Sequence, residues 1–382
     1  MVGTTASQGP HRLVVKVGTG VLTAGAKGLN RPRLVDLARQ IATLLSRGHE
    51  VVLVTSGAVL AGRERLRYPH LGSAIPYKQM LAAVGQGRLM HIYEQLFEIY
   101  DVPVAQVLLT REDLHDRHRY LNARDTLLAL LERRIVPIIN ENDAVATEEI
   151  KVGDNDNLSA LVANLVEAEL LILLTDTDGL YTADPRLHPE AQLISEVAQI
   201  DAETYRLAGG SRSGLGTGGM FTKVQAADLA TRGGTDVIVA AGGVPDVILR
   251  LVAGERMGTR FSSVGDRLAG RKRWILADKA TEGVLTVDAG AAQAILCGGS
   301  SLLAVGITAV EGTFERGATV RIADPQGREI AQGVVNYAAA DLAQIKGRHS
   351  SEIEATLGYV YASEVVHRDN LVLLRRSEKP IG

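Results

Sequence analysis

The sequence contains a single cysteine, Cys297, among its 382 residues. One cysteine can form neither an internal disulfide nor a cysteine-rich zinc site, which favours a reducing compartment. An excess of charge of one sign is also missing, because 41 Lys and Arg residues face 44 Asp and Glu residues and leave a formal net charge of -3. A near-neutral chain gives no general reason to expect nucleic acid or a membrane surface as a partner.

Long hydrophobic runs are absent as well. No stretch approaches the roughly 20 apolar residues of a membrane-spanning helix, and residues 1–10 lack the apolar core of a signal peptide. We therefore expect a soluble, cytoplasmic protein with no membrane partner. The hydrophobic fraction of 46% is nevertheless ample for a core. At about 100 to 200 residues per domain, the length predicts two domains or three.

Short apolar runs separated by helical stretches predict a three-layer α/β/α domain with a mainly parallel sheet. The runs are continuous rather than alternating, as expected of strands buried on both faces. They cover residues 13–17, 51–54, 104–109, 136–139, 170–174 and 237–240. Between the first two, apolar residues recur every three or four positions from Leu34 to Leu45, which predicts a crossover helix.

The pattern changes after the charged stretch 267–273. Glycine-rich β segments at 283–287, 302–305 and 318–322 predict a small β-barrel-like second domain, with a turn at 324–327 and one helix near 289–296. The boundaries that we expect are 1–265 for the first domain, 266–280 for a linker, 281–359 for the second domain and 360–382 for a C-terminal tail.

Polar and glycine-rich clusters follow four of the six runs, at the sheet edge where α/β domains bind ligands. The first run ends in 16–20 (Lys-Val-Gly-Thr-Gly), where amides and the lysine could hold phosphate, although glycine turns after strands are common. The second ends in 55–58 (Thr-Ser-Gly-Ala), which lacks the glycine that a nucleophile elbow needs before its serine. We therefore interpret Ser56 as a hydrogen-bond donor to an anionic ligand.

Acids and amides dominate after the fourth run, at 140–143 (Asn-Glu-Asn-Asp) and 153–157 (Gly-Asp-Asn-Asp-Asn). They suit Mg²⁺ and a substrate ammonium group, whereas a calcium loop would need the late glutamate of an EF-hand. The fifth run ends in 175–179 (Thr-Asp-Thr-Asp-Gly), and 214–223 carries four glycines before Lys223. The latter segment is not a Walker loop, because its lysine follows the threonine.

Two glycine-flanked lysines, Lys16 and Lys223, occur with a set of carboxylates and without a candidate general base. This combination suggests phosphoryl transfer to an acceptor that needs no deprotonation. A carboxylate is such an acceptor, because a glutamate side chain with a pKa of about 4.3 is ionised at pH 7. Catalysis would then rest on positioning and charge neutralisation.

In their order and spacing these segments resemble the amino acid kinase family, in the branch that phosphorylates free glutamate. The matching segments are 16–20, 54–58, 139–144, 151–160, 180–186 and 213–220. The resemblance runs through nearly the whole chain and implies that the second domain is a PUA domain, a β-rich pseudo-barrel. It implies ATP-dependent phosphorylation of the L-glutamate side chain to glutamyl 5-phosphate, the first step of proline synthesis, with feedback inhibition by proline.

The resemblance also implies roles for particular residues. Lys16 and Lys223 would contact ATP phosphates and stabilise charge on the transferred group, and Asp156 would hold the lysines or help to position the metal. Ser56, Asp143 and Asn155 would bind glutamate, with Asp143 as the partner of its ammonium group. The nucleotide site would be lined by Lys16, Thr175, Asp176, Thr217, Gly218, Gly219, Met220, Phe221, Thr222 and Lys223. ATP and Mg²⁺ are the implied cofactors, and the ligands of the metal stay unassigned.

Other substrates and functions are also compatible with the sequence. Within the family, N-acetylglutamate, aspartate or a nucleoside monophosphate is an alternative acceptor, and a kinase-like binding module without turnover is disfavoured by the presence of both lysines. PUA domains elsewhere commonly bind RNA, but residues 281–359 contain five basic residues against nine acids, which disfavours that partner. His115 and His118 are interpreted as part of a charged helical face rather than a metal site.

Partners other than substrates are also expected. The protein is expected to form a dimer or tetramer, for which the apolar stretch 80–96 is either the interface or a buried core helix. The downstream glutamyl phosphate reductase is a further candidate partner.

Overall fold

The computed structural model describes residues 12–71, 74–145, 155–209, 219–263 and 281–374. The chain divides into two compact units. The first consists of Met1–His115 and Ala123–Gly265, and the second of Asp116–Asn122 and Asp266–Gly382. The predicted linker, 266–280, lies outside the described residues. Within the described part of the chain, no helix is both long and apolar enough to cross a membrane.

An eight-stranded sheet forms the centre of the first unit, in the order β3-β4-β2-β1-β5-β7-β8-β6. Its strands are β1 (Arg12–Val17), β2 (Glu50–Thr55), β3 (Val104–Leu109), β4 (Val136–Glu141), β5 (Leu170–Thr175), β6 (Glu196–Val197), β7 (Asp236–Ala241) and β8 (Thr259–Phe261). Neighbouring strands are parallel except β7 and β8. All six predicted strands are present, and the predicted α/β domain with a mainly parallel sheet is confirmed.

Helices connect these strands. They are α1 (Thr19–Thr23), α2 (Arg31–Ser46), α3 (Ala58–Arg65), α4 (Ile75–Glu98), α5 (Arg111–His115), α6 (Arg117–Glu132), α7 (Asn155–Leu165), α8 (Ala202–Leu207), α9 (Met220–Arg232) and α10 (Val247–Val252). The predicted crossover helix is α2, which begins where the Asn30 side chain accepts a hydrogen bond from the Arg33 amide. Its apolar stripe is buried, as the three- and four-residue spacing predicted.

Helices α3 and α4 pack with their backbones in contact. A Cβ atom added to Gly85 would lie 1.8 Å from the Ala58 carbonyl oxygen, and one added to Gly62 would lie 2.0 Å from the Leu81 carbonyl oxygen. Only glycine fits at such a crossing. The apolar stretch 80–96 lies in α4, where one face is buried and the other is exposed, including Met80 at 40% and Val84 at 37%. Its role as a dimer face stays a prediction.

The second unit contains a five-stranded sheet in the order β10-β9-β11-β12-β13. Its elements are β9 (Gly283–Val287), β10 (Ile307–Gly312), β11 (Thr319–Ala323), β12 (Glu329–Val334), β13 (Leu371–Leu373), α11 (Ala289–Gly298), α12 (Ala339–Ile345) and α13 (Ile353–Leu357). The predicted strands at 283–287 and 318–322, the helix near 289–296 and the turn at 324–327 are present. Strand β13 lies within the predicted tail and pairs with β12.

Two local predictions were wrong. Residues 302–305 are not a strand, because Ala304–Gly306 forms a 3-10 turn and Leu302 makes only an isolated bridge with Val366. Leu302 and Ala304 are buried while Leu303 and Val305 face outward, an alternation that also typifies a strand. In addition, His115 and His118 do not share one helix, since α5 ends at His115 and α6 begins at Arg117.

Candidate active site

Parallel neighbours in the sheet bring the segments after β1, β2, β4 and β5 to the same edge. Lys16 is the penultimate residue of β1, Asp156 lies in the first turn of α7, and Lys223 lies in the first turn of α9. The fold therefore brings together three residues that lie far apart in the sequence.

These three side chains form a buried cluster centred on Asp156. Lys16 Nζ lies 2.5 Å from Asp156 Oδ1, and Lys223 Nζ lies 3.2 Å from Asp156 Oδ2. Thr222 Oγ1 donates a hydrogen bond of 2.7 Å to the same Oδ2. Lys16, Asp156 and Lys223 are each no more than 5% exposed. All three residues predicted to be catalytic thus lie in direct contact.

The pKa values of the cluster follow from burial and from the three charges. Burial by itself would raise the pKa of Asp156, but the charges of Lys16 and Lys223 and the hydrogen bonds from Lys16 and Thr222 lower it below its usual range. Burial is the largest influence on Lys16 and lowers its pKa. Asp156 opposes that effect, whereas the Lys223 charge adds to it. Asp156 is therefore ionised at neutral pH.

These three side chains carry two positive charges and one negative charge. Two ammonium groups held side by side suit an anion such as phosphate. Gly18 adjoins the cluster, since a Cβ added there would lie 3.5 Å from Lys16 Nζ. One added to Gly20 would lie 3.8 Å from Asp176, so the segments after β1 and β5 adjoin.

A second polar group joins the ends of β2 and β4, which are paired in the sheet. Asn155 Nδ2 donates to Ser56 Oγ at 3.0 Å and lies 3.1 Å from Asn140 Oδ1. Asn140 Oδ1 also accepts the Glu141 amide hydrogen at 2.9 Å. Two of the three predicted substrate residues, Ser56 and Asn155, are therefore in contact.

The Glu141 amide fixes the orientation of this group. Because a backbone N–H can only donate, the Asn140 atom that faces it must be the oxygen, and Asn155 must present its nitrogen to that oxygen. Asn155 Oδ1 consequently points elsewhere and is buried without a hydrogen-bond partner among the described residues. Leaving a buried acceptor unpaired costs about 1–3 kcal/mol, so this oxygen is suited to a ligand that donates.

Asp143 lies in the turn after β4, which is closed by the Val145 amide donating to the Asn142 carbonyl at 3.1 Å. The carboxylate is half-buried, and burial raises its pKa above the usual value of 3.8. No contact joins Asp143 to Ser56 or Asn155 in the described residues. The segment 146–154, which separates Asp143 from Asn155 in sequence, lies outside them.

The predicted nucleotide residues lie at the ends of β5 and α9. Thr175 is the last residue of β5, and its Oγ1 donates to Asp176 Oδ1 at 3.1 Å. Gly219 is the N-cap of α9, which starts at Met220, and no side chain caps its amides. The ring of Phe221 packs against that of Tyr205, with centroids 5.7 Å apart. Thr217 and Gly218 lie outside the described residues.

The described residues contain no group of three or more His, Cys, Asp or Glu residues that could hold a metal ion. Both carboxylate oxygens of Asp156 face Lys16 and Lys223. A magnesium ion here would therefore need most of its ligands from another source, such as phosphate oxygens and water.

Sequence reasoning missed Gln86 and Tyr93, and it placed Asn140 and Thr55 in polar segments without giving either a role of its own. Asn140 is only 2% exposed and donates from Nδ2 to Gln86 Oε1 at 2.9 Å. Tyr93 OH and Thr55 Oγ1 share a buried hydrogen bond of 2.7 Å, and burial raises the pKa of Tyr93. A sequence signal existed for Asn140, a polar residue that directly follows an apolar run.

Two family models match the chain. The amino acid kinase family model matches residues 11–241, and the PUA domain model matches residues 283–357. The chain belongs to the amino acid kinase family. The resemblance noted in the sequence is thereby confirmed, and the protein is a kinase whose second domain is a PUA domain.

Curated relatives are similar over almost their full lengths. A protein from Herpetosiphon aurantiacus named glutamate 5-kinase is 62% identical over 94% of this chain and 98% of its own. Proteins of the same name from Deinococcus radiodurans and Shewanella oneidensis are 58% and 57% identical, over 95% of this chain and 100% and 98% of theirs. Among solved structures, a UMP kinase from Bacillus anthracis aligns with 67% of this chain and 98% of its own chain. The identity is 16% and the TM-score is 0.47, and a similarity this weak carries no argument about function.

Proposed function

We propose that this protein transfers the γ-phosphoryl group of ATP to the side-chain carboxylate of L-glutamate and forms L-glutamyl 5-phosphate, the first step of proline synthesis. The observation that carries the proposal is the buried cluster in which Lys16 and Lys223 share the two oxygens of Asp156. The name of the relatives, glutamate 5-kinase, supports the choice of acceptor.

The cluster suits transfer to a carboxylate. A glutamate side-chain oxygen attacks the γ-phosphorus, and the bond from phosphorus to the bridging oxygen of ADP breaks. No proton needs to be removed, because the attacking carboxylate is ionised at neutral pH. Lys16 and Lys223 stabilise the negative charge on the phosphoryl oxygens, and Asp156 holds both ammonium groups in place. Burial of all three side chains keeps water, which would hydrolyse an acyl phosphate, away from the reacting atoms.

The second polar group suits a free amino acid. Glutamate at neutral pH has one donor group, its ammonium, and two carboxylates that only accept. Asn155 Oδ1 is a buried acceptor and Asp143 is a half-buried carboxylate, so both are assigned to the ammonium. Ser56 Oγ accepts from Asn155 and keeps its own hydrogen, so it is assigned to a substrate carboxylate.

The nucleotide is assigned to the ends of β5 and α9. Thr175, Asp176 and 217–223 are assigned to it, and the amides of the first turn of α9 would favour an anion. Magnesium would accompany ATP and take its ligands mainly from phosphate oxygens and water, where it supplies further charge neutralisation.

A product trap tests the proposal. ADP release would be followed with ATP and Mg²⁺ and with L-glutamate, N-acetylglutamate, aspartate or UMP offered separately, in the presence of hydroxylamine. We expect a hydroxamate with L-glutamate, because hydroxylamine captures an acyl phosphate. Turnover with a different acceptor alone would move the substrate assignment, and no turnover with any of the four would contradict the proposal.

Feedback and assembly belong to the same proposal. Proline is proposed as an inhibitor, a dimer or tetramer as the working form, the cytoplasm as the location and the downstream glutamyl phosphate reductase as a further partner. Proline added to the hydroxamate assay would reduce the rate, and light scattering would give the mass of the assembly.

A further inference from the structure

Helix α4 contacts the ends of both β2 and β4, where the proposed substrate residues lie. Gln86 and Tyr93 lie about two turns apart on this helix and therefore share a face. Gln86 Oε1 accepts from Asn140 at the end of β4, and Tyr93 hydrogen-bonds Thr55 at the end of β2. Among the described residues, Gln86 and Tyr93 thus bond to the ends of β4 and β2, so the helix is associated with the amino-acid part of the site.

The role of Gln86 follows from the fixed orientation of Asn140. With its oxygen held by the Glu141 amide, Asn140 must direct its nitrogen towards α4, where only an acceptor satisfies it. Gln86 supplies that acceptor. If it did not, the buried Asn140 amide would lose a partner, and the contact between Asn140 and Asn155 would loosen with it.

Packing alone does not account for a glutamine at this position. Gln86 Nε2 is buried and has no hydrogen-bond partner among the described residues. An apolar side chain of similar length would fill the same space without burying that nitrogen, so the oxygen is the part of Gln86 that the structure uses.

We propose that Gln86 is a positioning residue for the amino-acid substrate. It holds Asn140, Asn140 holds Asn155, and Asn155 Oδ1 is thereby directed at the substrate ammonium. The inference rests on the proposed function, because it takes a free amino acid as the acceptor. Gln86 itself does not touch the substrate.

Two substitutions at Gln86 separate positioning from packing. Gln86→Met keeps the length of the side chain and removes the acceptor, whereas Gln86→Glu keeps an acceptor oxygen facing Asn140. Gln95 lies on the exposed side of the same helix, so Gln95→Met is a matched control. Steady-state constants for L-glutamate and ATP would be measured for each variant, with thermal unfolding as a check on folding.

We expect Gln86→Met to raise the KM for glutamate about tenfold while the KM for ATP stays within about twofold. Gln86→Glu should recover most of that loss, and Gln95→Met should match the wild type. Three results would overturn the inference. They are an unchanged KM for glutamate in Gln86→Met, an equal rise in the KM for glutamate and for ATP, and a Gln86→Glu variant that is as impaired as Gln86→Met. If Gln86→Met does not fold, Gln86→Leu takes its place, because it also removes the acceptor and should raise the KM for glutamate but not that for ATP.

A wrong assignment of the function would give a different result from a wrong role for Gln86. In that case the wild-type protein itself would form no hydroxamate with L-glutamate, before any variant is compared. A wild type that turns over glutamate together with an unaffected Gln86→Met variant would reject the positioning role alone.

Discussion

Lys16 Nζ lies 2.5 Å from Asp156 Oδ1, and both side chains are almost wholly buried. A buried pair of opposite charges is neutral, but Lys223 adds a third charge on the other carboxylate oxygen. Asp156 therefore lies between two positive charges out of contact with water, an arrangement that we propose serves phosphate binding. Removing one of these charges is expected to affect activity strongly.

The first prediction concerns Lys223. Lys223→Ala should lower kcat about a hundredfold or more, because we propose that its ammonium stabilises charge that develops only during transfer. The KM for glutamate should change little, since the proposed amino-acid contacts are Ser56 and Asn155. Steady-state kinetics with varied glutamate and saturating ATP would measure both constants.

Lys346→Ala is the control for that measurement, because Lys346 is exposed and lies in the second unit. It should behave as the wild type. A Lys223→Ala variant with normal kcat and a raised glutamate KM would show that the lysine binds the ground state only.

The second prediction concerns pH and Asp143. Burial raises the pKa of this carboxylate above its usual 3.8, and only the ionised form attracts an ammonium group. Glutamate binding should therefore be complete above the raised pKa and should weaken as the pH falls through it. Kinetic profiles of kcat/KM for glutamate between neutral and acidic pH would show the decline.

Asp143→Asn separates this titration from that of the substrate itself. The neutral side chain should give a lower kcat/KM at pH 7 and a flatter acidic limb, while any decline due to the glutamate carboxylates would remain in both proteins. Parallel profiles for the two proteins would remove Asp143 from ammonium binding.

Residues at strand ends could be located from the sequence, because their position depends on a simple pattern. Lys16 follows a continuous apolar run, and parallel strands place such residues at one sheet edge. The contact between Lys16 and Asp156 could not be derived from spacing, since it depends on where α7 begins. The family resemblance supplied that pairing.

Gln86 was beyond sequence reasoning for a different reason. Its contact with Asn140 depends on how α4 crosses α3, and the crossing is determined by the close approach at Gly62 and Gly85. Periodicity predicts which face of a helix is buried but not what that face touches. The same limit explains 302–305, where buried and exposed residues alternate in a turn.

The third prediction concerns Ser56. Ser56→Ala removes the hydroxyl that accepts from Asn155 and is assigned to a substrate carboxylate. The KM for glutamate should rise about tenfold with little change for ATP, because a hydrogen bond to a charged group contributes about 1.5–3 kcal/mol. Ser46→Ala, at the exposed end of α2, serves as the control. Equal KM values in wild type and Ser56→Ala would exclude the serine from substrate binding.

The last prediction concerns Gly85, the residue before Gln86. Alanine there would place a Cβ 1.8 Å from the Ala58 carbonyl oxygen, so α3 and α4 must separate. We expect a loss of about 1–3 kcal/mol in the free energy of unfolding, measured in urea, from the overpacked crossing. The KM for glutamate should also rise, because α3 follows Ser56 in the chain and α4 carries Gln86.

Gly87 provides the matched control on the same helix. A Cβ added there meets nothing within 4 Å, so Gly87→Ala should leave the kinetics unchanged. Its free energy of unfolding should increase by about 0.5–1 kcal/mol, because alanine loses less conformational freedom than glycine in a helix. The same substitution at positions two residues apart should thus change the free energy of unfolding in opposite directions. A Gly85→Ala variant as stable and active as Gly87→Ala would show that the contact between α3 and α4 is not needed to hold the substrate segments.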